Sequence, residues 1–64
     1  MTGNELRKTA EAAGLSPIEV LHEAGINSPT TLLKVYNDQP VRATTRTKVE
    51  RAIKRLAAKA RLAG

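Results

Sequence analysis

Apolar positions along the chain recur at helical spacing, and no segment alternates apolar and polar residues as a strand would. Leu6, Ala10 and Ala13 stand at i, i+4 and i+7, one face of a helix from about Asn4 to Ala13. Before it, Thr2 and Glu5 have the spacing of a capping box; after it, Gly14 suits the left-handed residue that closes a helix. Ser16-Pro17-Ile18-Glu19 marks a second start, with serine as cap, proline at the first helical position and glutamate at the third. Leu15 and Val20 occupy the two positions of a hydrophobic staple, and Gly25 ends this short helix after Ala24.

The third helix repeats the device, with Ser28 as cap and Pro29 as first residue. Leu32, Val35 and Tyr36 define its buried stripe, and Asn37-Asp38-Gln39-Pro40 breaks the chain. The fourth helix begins between Ala43 and Thr45 and runs to about Arg61. Val49, Ile53, Leu56 and Ala60 form its apolar seam, with Ala52 beside them. The expected fold is all-α: one bundle-like domain of four helices over residues 1–64, with a central helix-turn-helix and a long C-terminal helix.

Composition narrows the function classes. A chain of 64 residues buries a small core and has little room for a deep catalytic cleft. It contains no cysteine and a single histidine, His22, which excludes disulfide staples and cysteine-based zinc sites. No basic segment followed by an apolar run succeeds Met1, so no signal peptide is expected, and the apolar stretches are far too short for a membrane span. The expected protein is soluble and cytoplasmic.

The net charge of +5 is unevenly placed. Through residue 33, Arg7 and Lys8 face four glutamates, a balance of −2; from residue 34 onward nine Lys and Arg face Asp38 and Glu50, a balance of +7. A basic half is the electrostatic footprint of a polyanion partner, nucleic acid being the commonest.

Two short helices joined by a glycine-containing turn make a helix-turn-helix pattern, which an ordinary helical hairpin also satisfies. Val20, Leu21, Ala24, Ile26, Leu32 and Val35 are positioned to lock the pair. At about 100° per residue, Thr30, Lys34 and Asn37 point away from the stripe of the third helix, with Thr31 and Leu33 on its flanks. A groove-reading helix uses short hydrogen-bonding groups near its N-terminus and a cationic arm one turn later. Ser28, Thr30 and Thr31 are such groups, Lys34 is such an arm, and Leu33 suits a thymine methyl. On the fourth helix Lys48, Arg51, Arg55 and Lys59 follow at spacings of three and four with no acid interleaved, a phosphate track or a docking ridge for an acidic partner.

Thr31-Leu32-Leu33-Lys34-Val35-Tyr36-Asn37-Asp38-Gln39-Pro40-Val41, then Thr45-Arg46, Val49, Ala52-Ile53 and Leu56, resemble the DNA-binding headpiece of the lac repressor family, and Glu23-Ala24-Gly25-Ile26 resembles its first helix and turn. The resemblance runs from Glu19 to Leu56. The stretch from Gly25 to Thr31 is one residue longer than the family's, Arg42 replaces the family's usual serine cap, and an extra helix comes first. Its hinge segment is only faintly matched by Ala60-Arg61-Leu62-Ala63, and no effector domain is expected. In scale and layout the chain is similar to phage Cro-like regulators of the λ-repressor-like fold.

The resemblance implies that Lys34 contacts bases, that Asn37 and Thr45 contact phosphates, and that Arg42 approaches the backbone. Thr31 falls near the start of the reading helix. The expected DNA-contacting set is Asn27, Ser28, Thr30, Thr31, Leu33 and Lys34 on and before the reading helix, residues 28–37. Asn37, Arg42, Thr45, Arg46 and Lys48 continue it.

The expected function is sequence-specific binding of double-stranded DNA as a transcriptional regulator, a repressor or Cro-like protein at the nucleoid of a bacterial host cell. The alternative is an interaction module that docks an acidic partner on its basic C-terminal helix. An enzyme is not expected: Ser16 and Ser28 serve as caps, Glu19 and Glu23 share one face of a short helix without a pocket, and His22 lacks partners for a metal. No cofactor, metal or small-molecule effector is expected. A monomer that dimerises on DNA is anticipated, with Leu62 and the alanine-rich end of the fourth helix available for pairing.

Overall fold

The computed structural model describes the backbone of residues 2–63 and the side chains of residues 2–61. It is all-α. The helices are α1 (Gly3–Ala12), α2 (Pro17–Ala24), α3 (Pro29–Tyr36) and α4 (Ala43–Ala63), and there is no strand among the described residues. α1 starts one residue before the expected Asn4 and ends at Ala12, and α4 runs two residues past Arg61. Helix ends of this kind shift by a residue or two because the last turn is held by few bonds. No helix is long and apolar enough to cross a membrane, among the described residues.

The punctuation works as the residue types require. Thr2 Oγ1 accepts from the Glu5 N–H at 3.2 Å, capping α1. Gly14 and Gly25, both at φ 71°, close α1 and α2 in the left-handed conformation that a side chain disfavours. In each case the following apolar residue turns back: Leu15 N–H donates to Ala10 O at 2.9 Å and Ile26 N–H to Leu21 O at 3.0 Å. Both Leu15 and Ile26 then lie half-buried against the core.

That core is made by Leu6, Val20, Leu32, Val35, Val49 and Ile53, none more than 2 % exposed, with Ala10, Leu21 and Ala52 around them. Burying each of the large side chains contributes about 1.5–3 kcal/mol, set against the entropy of ordering the chain. Every helix supplies at least one of these residues, so the core is shared by all four. Leu56 is half-buried and Ala60 is exposed, so the seam of α4 leaves the core near Leu56.

The helices are not all neighbours. α1 and α2 each pack against both α3 and α4, while α1 and α2 do not adjoin one another. α3 and α4 also touch one another, and both contribute to the shared core. The Cα envelope measures 34 × 20 × 16 Å, and its long dimension matches the rise of about 31 Å for a helix of α4's length.

Candidate nucleic-acid interface

The α2–turn–α3 unit is held from inside. Val20 and Leu21 of α2 and Leu32 and Val35 of α3 meet in the core, and Ile26 of the turn packs beside them. That fixes which side of α3 is left outside. Thr30, Leu33, Lys34 and Asn37 are exposed, and Thr31 is half-buried on the flank. Leu33 keeps 59 % of its surface in water, so it is not a helix-junction contact. None of these side chains makes a hydrogen bond or ion pair among the described residues.

Ser28 departs from expectation. It holds the N-cap position of α3, at φ −110° and ψ 115°, but its side chain makes no cap bond. Pro29 has no N–H to satisfy, and the one helical turn bond at this end is Thr31 N–H to Ser28 O at 3.2 Å. Ser28 is thus exposed, its hydroxyl unbonded, at a helix end with positive dipole character, the kind of end that takes a phosphate oxygen. Asn27, in the turn, is exposed beside them.

The other end of α3 is tied. Asp38 takes up φ 56°, the left-handed conformation, and the chain closes with Gln39 N–H to Lys34 O at 2.8 Å. Its carboxylate Oδ1 accepts from the Gly3 N–H at 2.9 Å and from an Arg46 guanidinium N–H at 2.7 Å. One carboxylate so joins the start of α1, the end of α3 and the first turn of α4. The Gly3 N–H and then the Arg46 guanidinium hold the Asp38 carboxyl below its ordinary pKa. Gly3 also presses its backbone on α3: a Cβ there would collide with the Val35 and Tyr36 carbonyl oxygens. Tyr36, half-buried nearby, has its phenol pKa raised by burial first and by Glu11 second.

The expected residues on α4 divide accordingly. Arg42 and Lys48 are exposed and unpaired among the described residues, and Thr45 is half-buried. Arg46, expected at DNA, is bound to Asp38 and serves the clasp between helices. Of the cationic edge, Arg55 is drawn to Glu23 of α2 at 3.2 Å, whereas Lys48, Arg51 and Lys59 have no acidic partner among the described residues. The pairing expected of Leu62 lies outside the described side chains.

Sequence reasoning missed the Asp38 clasp, the close approach of Gly3 and the exposure of Ile18, which keeps 74 % of its surface at the start of α2. A clue to the second was present: glycine at the first position of a helix has to be explained by something other than helix propensity. No protein-family model, curated protein or solved structure matches the chain.

Proposed function

We propose that this protein binds double-stranded DNA as a sequence-specific transcriptional regulator, with α3 in the major groove. The supporting observation is the outward face of α3, where Thr30, Lys34 and Asn37 stand exposed without partners among the described residues, behind a helix start whose Ser28 side chain makes no cap bond. In that role Thr30 and Lys34 face base edges, Leu33 meets a thymine methyl, and Ser28, Asn27, Arg42 and Lys48 set register on phosphates. Thr31, Asn37 and Thr45 keep flanking positions. Binding, not catalysis, is the role, and action at a nucleoid, on paired half-sites, follows from it.

Fluorescence anisotropy on random-sequence duplex across a salt series tests the reading. Expected is a log–log slope on the order of −4 to −7, as several phosphates displace counterions. Thr30→Ala with Lys34→Ala, both exposed, should then abolish selection of a preferred site while helicity is unchanged. No binding at low salt, with capture of an acidic protein instead, would replace the DNA reading by a docking role for α4.

A further inference from the structure

We infer that the outer face of α3 selects C5-methyl groups in the major groove, with Pro29 and Leu33 as the apolar wall that receives them. This rests on the DNA-binding reading of α3 and adds the chemical feature that is selected: a 5-methylpyrimidine, thymine or 5-methylcytosine.

Pro29 and Leu33 stand at i and i+4 on α3, a spacing that sets neighbouring side chains about 5–6 Å apart along the helix surface. Both are exposed, and Leu33 keeps 59 % of its surface in water. The core does not use them, since α3 is anchored through the buried Leu32 and Val35. At about 100° per residue, Thr30 and then Lys34 lie beside this pair on the side away from the core, with Asn37 at the far end. All three are exposed and without partners among the described residues. The outward surface of α3 is thus divided lengthwise, an apolar edge of Pro29 and Leu33 against a polar edge of Thr30 and Lys34.

That division matches a pyrimidine methylated at C5. In the major groove thymine shows its methyl beside the O4 acceptor, and 5-methylcytosine shows the same methyl beside the N4 donor. The apolar edge takes the methyl. The Thr30 hydroxyl both donates and accepts, so it suits either neighbour, and Lys34 suits a guanine acceptor or a phosphate. A protein partner fits this edge less well. Protein interfaces bury a far larger patch, and their binding energy concentrates in tryptophan, tyrosine and arginine, with leucine under-represented. One leucine and one proline with polar margins match a methyl group in size. Burying one methyl there should raise affinity about threefold to fourfold.

The test starts from a duplex that the full chain selects from a random pool. Each thymine of that site is replaced in turn by uracil, which keeps the base pair and O4 and removes only the methyl. Fluorescence anisotropy should show a loss of about threefold to fourfold at one or two positions. In Leu33→Ala, thymine and uracil duplexes should bind within about 1.5-fold of one another, while circular dichroism shows unchanged helicity because the side chain is exposed. Replacing the sensitive T·A pair by C·G, and then methylating that cytosine, distinguishes the two sources. Recovery that needs Leu33 includes 5-methylcytosine, and no recovery assigns the site to thymine alone. A selected site with no thymine, or none whose uracil form binds more weakly, overturns the methyl reading and leaves α3 as a reader through Thr30 and Lys34. A uracil penalty that persists in Leu33→Ala overturns it as well, because the methyl then meets another part of the protein. If no site is selected or no duplex is bound, the α3 reading itself fails, and methyl selection with it.

Discussion

α2 and α3 are each eight residues long and each starts with Ser-Pro, yet the two starts are built differently. Ser16 Oγ accepts from the Glu19 N–H at 3.2 Å, and Glu19 Oε1 accepts from the Ser16 N–H at 3.4 Å, so α2 closes its own first turn. At the matching position of α3 stands Thr31, too short to reach back as Glu19 does, and Ser28 is left unbonded. Their far ends differ as well. α2 closes on Gly25 in the left-handed conformation, whereas α3 ends on Asp38, whose carboxylate is engaged by α1 and α4. α2 closes its first turn by itself and is tied to α4 near its far end through Glu23 and Arg55; α3 is held at its far end by Asp38 and has no cap bond at its start. A helix kept rigid from behind, with its leading end unused, is the arrangement a groove-reading element needs.

The largest effect should come from breaking the hold on α3. Gly3→Ala puts a methyl against the Val35 and Tyr36 carbonyls, which belong to backbone and cannot rotate aside. Beyond ordinary overpacking, the expected loss is at least about 3 kcal/mol, a fall in Tm of more than about 12 °C. Thermal unfolding followed by circular dichroism measures it. A wild-type Tm would mean that α1 does not brace α3.

Asp38→Ala should come next, because it removes two hydrogen bonds and leaves a side chain strained at φ 56°. Asp38→Asn, which tolerates that conformation, should fall between wild type and alanine. The sign with pH follows from the direction of the shift. Asp38 has a lower pKa folded than unfolded, so its contribution is present above the ordinary carboxylate value and is lost as pH falls through the folded one. Wild type should therefore lose its margin over Asp38→Asn on acidification below about pH 5. A constant gap between their Tm values down to acid pH would show that the charge on Asp38 does not matter.

Ser16→Ala should cost about 1 kcal/mol, the usual worth of a serine cap, or about 4–8 °C in Tm. Urea unfolding gives the same quantity independently. This start was legible in the sequence, as were the glycine stops and, apart from the exposed Ala60 at the far end of α4, the apolar stripes of the helices, because caps and periodicity depend on residues within a turn or two. The all-α fold followed. What was not legible depends on pairs distant in the chain. Gly3 meets Asp38 across 35 positions, and Glu23 meets Arg55 across 32. Which cations are neutralised, and hence that Arg46 serves the clasp and Arg55 an interhelical pair, is decided by helix order and not by spacing. Ser28 shows the reverse error: an identical dipeptide promised a cap bond that its side chain does not make.

The smallest stability effect sharpens the comparison most. Since the Ser28 hydroxyl bonds nothing at its helix, Ser28→Ala should change stability by no more than about 0.5 kcal/mol, in contrast to Ser16→Ala. If α3 is the DNA-reading element, the same substitution removes one phosphate contact at its leading end. Affinity for duplex should then fall about fivefold, the worth of one hydrogen bond of about 1 kcal/mol. Ser16→Ala should leave affinity nearly unchanged, its hydroxyl being engaged within α2. The pair of serines thus forms a double dissociation, stability against binding, on two helices of equal length. Equal losses of stability would mean that Ser28 caps α3 in solution after all. Unchanged affinity for Ser28→Ala, with DNA binding otherwise intact, would move the contact away from the open end of α3 and onto Lys34 and the first turns of α4.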